Sequence, residues 1–305
     1  MLGRTRWLLA ATLVVGSRCV PDLVAQANEP VSFREVEFAS LTERDPNPLG
    51  EKALAIHPDQ WKHGETDHFI YHFVHTFVAT PISAEAEFAY RVITKEFDRD
   101  LPASSPKCHV YIFEPTEDWQ QFQASGHLER WTGGIHSAGS LFIHRNPANR
   151  FSDNRLAHEI THLIIHRYYS AGIPCWLDEG FAQYVSKNAH SAYQRARGYM
   201  AKPHSEAIAA GDFISLTTLL AYTQPPSDRV ETFYDESERL VRFLAGVDKP
   251  RFLGLLDALG RHQPFEPALQ QHYTGVFQNT SALEHKFQDY AVKDFGTSLQ
   301  QITAE

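Results

Sequence analysis

The chain changes character near Asp153. Ahead of that point, residues 69–75, 109–113 and 140–144 are rich in aromatic and β-branched side chains and read as strands. Residues 84–98 and 117–123 read as helices between them. Beyond it, Leu156, Ile160, Leu163, Ile164 and Tyr168 fall at helical spacing, and Gly172 with Pro174 closes that helix. Further helices are predicted over 176–186 and near 216–222, 232–245, 251–259, 267–272 and 281–292. Strands first and helices afterwards restrict the chain to an α+β fold.

The first 27 residues stand apart from that pattern. Arg4 and Arg6 precede an apolar stretch from Trp7 to Val15, and Ala25-Gln26-Ala27 places small residues where a leader is cut. Residues 1–27 are therefore expected to be a secretory signal peptide, and the mature protein secreted or periplasmic. The stretch is too short to stay in a bilayer, so no stable membrane insertion is expected after its removal. Residues 28–60, broken by Asp45-Pro46-Asn47-Pro48 and Leu49-Gly50, read as an extended arm or linker. One domain is expected over 61–295, with a tail at 296–305.

The net charge is −9, and the leader carries Arg4, Arg6 and Arg18 against Asp22, so its loss makes the chain more acidic still. An acidic chain without a basic cluster gains nothing from phosphate backbones, which disfavours nucleic acid as a partner. Hydrophobic residues at 43% and charged residues at 21% are ordinary values and argue against disorder. Cys108 and Cys175 either pair in an oxidising compartment or remain free thiols. The oligomeric state is not legible.

His158-Glu159-Ile160-Thr161-His162 carries the chemistry. On a helix, positions four apart lie on one face, so the two imidazoles can hold one zinc ion with Glu159 beside a water that the ion activates. Burying two histidines and a carboxylate without compensation is costly, and a metal supplies that compensation. Zinc needs a third protein ligand. The next helix offers Glu179, seventeen positions after His162, once the turn at 172–174 folds it back.

Pro174-x-Trp176-Leu177-x-Glu179-Gly180-Phe181-Ala182, following His158-Glu159-x-x-His162, resembles the gluzincin metallopeptidases of the peptidase-MA type. The resemblance covers residues 67–292. It implies a thermolysin/gluzincin-like catalytic domain, in which a mixed N-terminal sheet with an edge strand precedes a mainly helical half. It carries the third zinc-ligand role to Glu179, likens 131–144 to the strand that pairs with substrate, and likens the stretch from Phe233 to Leu244 to a later helix opening on Tyr234. By that position Tyr234 is the candidate donor to the oxyanion, with Tyr222 as a competitor.

The expected activity is therefore zinc-dependent hydrolysis of a peptide or protein substrate, with one Zn2+ per chain and Glu159 as general base. A zinc hydrolase of a non-peptide amide or ester, and a non-catalytic zinc-binding protein of the same fold, are the alternatives. Aminopeptidases of this class carry a Gly-x-Met-Glu-Asn segment. Here Gly133-Gly134-Ile135-His136 stands in that region, and methionine occurs only at Met1 and Met200, which favours internal cleavage. Asp178 reads either as an acceptor for a ligating imidazole or as a solvated helix-start carboxylate. Trp176 reads as a packing anchor, and His136, His144 and His166 as non-ligands.

Overall fold

The structure, a computed structural model, describes residues 31–99, 101, 105–129, 132–145, 153–199 and 213–291. The expected leader 1–27, the tail 296–305 and Met200 lie outside the described residues.

The N-terminal half builds one six-stranded sheet around β1 (Arg34–Val36), β2 (Lys62–Glu65), β3 (Phe69–Phe73), β4 (Cys108–Phe113), β5 (Gly134–Ser137) and β6 (Ser140–His144). Helices α1 (Pro48–Leu54), α2 (Thr76–Glu96) and α3 (Thr116–Gly126) intervene. The strand order is β1-β2-β3-β4-β6-β5. The pairs β3–β4 and β4–β6 are parallel and the other three antiparallel, so the sheet is mixed and β5 is an edge.

Side chains alternate across this sheet and divide its two faces. Phe69, Tyr71, Phe73, Val110, Ile112, Leu141 and Ile143 enter the main core with the helices. Tyr111, Phe113 and Phe142 point the other way and pack with Trp119 and Phe122 of α3. The hairpin from β5 to β6 turns on two residues, Ala138 with φ of 45° and Gly139 with φ of 86°. Positive φ at both central positions is the twist that suits a two-residue hairpin. Through this register Gly134 and His136 share a face, opposite Ile143 and Leu141.

The helical half comprises α4 (Arg155–Tyr168), α5 (Cys175–Ala196), α6 (Leu216–Ala221), α7 (Val230–Val247), α8 (Lys249–Gly260), α9 (Phe265–His272) and α10 (Thr280–Ala291). Each includes a stretch that the helical spacing marks out. At the start of α4 the Asp153 carboxylate accepts the Arg155 backbone N–H at 3.1 Å. Its end is followed by Gly172, whose φ of 81° and lack of a Cβ let the chain reverse into α5. Trp176 is buried and meets the Phe265 ring edge-on, the anchoring role expected of it.

Three local differences from the sequence reading have physical causes. The stretch read as an extended arm contributes β1, α1 and a polar anchor: Asp45 accepts from the Tyr111 and Ser140 hydroxyls, and Asn47 donates to the Ser137 carbonyl. Its Pro and Gly open and punctuate a short helix instead of excluding one. Helix α2 begins at Thr76, with Pro81 inside it. Strand β2 is Lys-His-Gly-Glu, without the apolar alternation that marks a strand, yet three of its residues are buried. Cys108 and Cys175 are both free thiols. Among the described residues no helix is long and apolar enough to cross a membrane.

Candidate metal centre

Helices α4 and α5 pack against each other, and the turn between them brings His158, His162 and Glu179 together. His158 Nε2 and His162 Nε2 lie 3.1 Å apart. Glu179 Oε2 lies 3.4 Å from the first and 3.5 Å from the second. One ligand atom from each of the three residues lies within 4.8 Å of the others. Glu179 Oε2 is buried and has no hydrogen-bond partner.

The tautomers make this a convergence of lone pairs. His162 Nδ1 sits 2.7 Å from Asp178 Oδ1, and a carboxylate there requires the nitrogen to carry the proton. In the neutral ring Nε2 is then bare and aimed at Glu179 and His158. Two imidazole nitrogens and a carboxylate oxygen are the donor types that zinc takes with a further position left open. The residues present therefore fit a single divalent ion of that kind.

Asp178 accepts a second time, from His166 Nε2 at 3.3 Å. Of the two expectations for Asp178, the structure places it as an acceptor for the His162 ring. Burial would raise the Glu179 carboxyl, but the neighbouring His158 and His162 rings outweigh it and hold the group at about 2. Burial likewise opposes a charge on His162, and Asp178 with Glu179 overcomes it, so the ring binds its second proton well above the ordinary range. A metal ion has to displace that proton.

Glu159 is buried one position from His158 yet is not among the three converging residues. Its carboxyl is pushed up by burial, while His158 and His162 pull the other way and the His136 backbone N–H donates to it. The edge strand comes close because it is glycine there. A Cβ on Gly134 would stand 2.9 Å from Glu159 Oε1 and 3.1 Å from its Cγ.

Tyr234 of α7 lines the same cavity of about 520 Å3 as His158, Glu159, His162 and Glu179. Burial first, then the Glu179 and Glu159 carboxylates, push its phenol upward, so it keeps its proton and can donate. Its approach depends on Gly180. A Cβ there would run into the Ser237 carbonyl, so the bare backbone lets α5 and α7 touch one turn beyond Tyr234. Tyr222 instead packs edge-on against Phe233 at 5.7 Å.

Of the histidines set aside in the sequence, His144 lies beside Thr116 and over Trp119. His136 and His166 stand in the cavity wall without joining the three converging residues, their rings 5.0 Å apart. Burial, then neighbouring His166 and His162, bring His136 down to about 3. Sequence reasoning missed the parts of Gly134, the His136 backbone and Gly180. The two glycines were visible in the motifs, but their close approaches are tertiary facts.

Comparison with curated proteins gives no match. Residues 97–293 match the family model of the Peptidase MA superfamily, a span that takes in both halves of the metal cluster, Tyr234 and the helices behind them. This is more than half of the chain, and the protein belongs to the peptidase MA superfamily as a metallopeptidase-type member.

Proposed function

We propose that the protein is a zinc-dependent endopeptidase with a thermolysin/gluzincin-like site, acting outside the cytoplasm after loss of the leader at 1–27. The observation that supports this most is the convergence of His158, His162 and Glu179 in one cavity with the buried, unliganded carboxylate of Glu159. A protein that only held metal would have no use for a carboxylate kept basic beside it.

Zinc, when bound by His158, His162 and Glu179, supplies Lewis acidity toward water and the scissile carbonyl. Glu159 takes the proton of the attacking water and passes it to the departing amine. Its upward shift suits both halves of that task, because a base poised nearer neutrality also returns a proton readily. Tyr234 donates to the oxygen on which negative charge builds, being held protonated at the cavity wall. Asp178 fixes the His162 ring in the ligating tautomer. The bare Gly134 edge of β5 closes on Glu159, and the His136 backbone N–H of the same strand steadies its carboxylate.

Metal analysis of the purified protein, together with digestion of a broad peptide library, tests this function. About one zinc per chain and internal cleavage products are expected, and the Glu159→Gln protein should keep its zinc while cutting nothing. Full zinc occupancy without cleavage of any peptide would leave a metal protein and remove the peptidase.

A further inference from the structure

The two ends of the cavity differ in chemistry. At the C-terminal end of α4 stand the imidazoles of His136 and His166. At its N-terminal end the wall is made by Thr132, Gly133, Asn154, Arg155 and Gln183, with no large apolar side chain among them. The helices place these residues together. Asn154 Nδ2 donates to Ser186 Oγ at 2.6 Å while His158 faces Glu179, so the start of α4 lies beside the third and fourth turns of α5. Arg155 sits one turn before His158, and Gln183 one turn after Glu179.

Arg155 is the only lysine or arginine among the described residues that line this cavity. Its side chain is 46% exposed, yet it is held in place. Asp153 accepts from Arg155 Nη2 at 2.6 Å, and Arg145 Nη1 lies 3.9 Å from Asp153. Arg145 is buried and donates to Glu85 at 3.0 Å, which ties Asp153 to the core. On the other side the guanidinium lies over Gly133, where any Cβ would collide with Nη1.

One edge of the guanidinium is spent on Asp153. That leaves further N–H donors for a ligand, in the planar fork that suits a carboxylate. Elsewhere the cavity lining carries Glu159, Asp178 and Glu179 and, among the described residues, no other lysine or arginine. A substrate carboxylate therefore has a guanidinium to meet at the Arg155 end of the cleft.

We propose that Arg155, with Asn154 and Gln183 beside it, forms a subsite for a carboxylate, so that preferred substrates are peptides with Asp or Glu next to the scissile bond on the Arg155 side. This rests on the peptidase function and names its substrate class. Arg155 is a specificity-determining residue and takes no part in bond cleavage.

The test uses matched peptides that differ at one position, Glu, Gln or Lys, scanned along both sides of a cleaved bond. The zinc-loaded protein should cut the Glu peptide with kcat/KM about tenfold above the Gln peptide, at positions on one side of the bond only. In Arg155→Gln that ratio should fall to about one, and in Arg155→Glu the Lys peptide should overtake the Glu peptide. Equal cleavage of Glu and Gln peptides by the wild type, or a Glu preference that survives in Arg155→Gln, overturns the subsite. Binding of the same peptides to the Glu159→Gln protein, measured by calorimetry, separates the two proposals. Tighter binding of the Glu peptide that depends on Arg155, with no cleavage by the wild type, would defeat the peptidase function and keep the subsite. Equal binding of Glu and Gln peptides defeats the subsite whether or not the wild type cleaves.

Discussion

The His162 ring is gripped through Nδ1 by Asp178 at 2.7 Å while its Nε2 faces His158 and Glu179. Adjacent residues of α5 thus divide two tasks, Asp178 orienting an imidazole and Glu179 offering an oxygen. Removing such an orienting partner characteristically weakens metal binding by about 10- to 100-fold. Asp178→Asn should do so, because the amide can present its NH2 to Nδ1 and favour the wrong tautomer. Zinc titration against a competing chelator reads the loss, and an unchanged affinity would show that the tautomer is set without Asp178. In the same assay Glu179→Gln should also lose affinity, since it gives up a charged ligand, whereas Glu159→Gln should not.

Gly180 predicts a different kind of failure. A methyl group placed against the Ser237 carbonyl forces α5 and α7 apart. Overpacking at such a contact costs about 1–3 kcal/mol. Gly180→Ala should therefore lower the denaturation midpoint, and turnover should fall further than the stability loss explains, because Tyr234 rides on the displaced helix. Gly172→Ala serves as the comparison. Open space surrounds that residue, and only its φ of 81° is strained by a side chain, so its cost should fall on stability and leave turnover per folded molecule alone.

What the sequence made legible follows from where the information is stored. His158, His162 and Glu179 could be placed because helical spacing and one turn fix their relation, and the structure does bring them together. Strands β3, β4 and β6 were legible from apolar runs buried on both faces. Strand β2 was not, because its side chains are held by polar partners, His63 by His72 and Glu65 by Thr42 and Lys107, and its sequence imitates a loop. Edge strand β5 has no apolar run to mark it; its Gly134, and Gly133 just before it, record the nearness of Glu159 and Arg155. The segment 28–60 was read by its breakers, while its place in the fold is set by Asp45 and Asn47 reaching residues about ninety positions away.

The buried polar groups behind β2 carry a prediction about acid stability. His63, His72 and His109, from three neighbouring strands, form a chain of hydrogen bonds of 2.8 and 2.9 Å, stacked beside Tyr111. Burial, helped by nearby Arg44, lowers His63 to about 4, and burial with the adjacent imidazoles lowers His72 well below the ordinary value. His109 is lowered too, chiefly by burial, against the pull of Asp45, Glu43 and Glu65. An unfolded histidine takes its proton near 6.5. Below that pH the unfolded chain gains protons that the folded chain refuses, so stability is whole above 6.5 and drains away as pH falls toward 4. The His63 shift alone is worth about 3 kcal/mol at most. Urea midpoints at pH 7.5 and 5 should therefore diverge more in the wild type than in His63→Gln, which keeps a polar partner for His72 and does not titrate. Identical slopes would mean that His63 charges without penalty in the folded state.

Tyr234 offers the sharpest test of the chemistry, because its hydroxyl lies in the cavity and outside the group of three converging ligands. A donor that meets the oxyanion forms its full bond only when charge has developed, so its loss should appear in turnover and not in substrate binding. Tyr234→Phe keeps the ring against Phe233 and removes only the hydroxyl. Loss of one oxyanion donor costs about 10²-fold in kcat, and that is the expected fall, with KM and zinc content nearly unchanged. Tyr222→Phe is the control. That ring packs on Phe233 and is not among the residues lining the cavity, so its turnover should stay within about twofold of the wild type. If the two variants exchange behaviour, the oxyanion is served from the α6 side and α7 only scaffolds Glu179. If Tyr234→Phe instead sheds zinc, its hydroxyl acts through the Glu179 carboxylate, and the developing charge is met by another donor in the cavity wall.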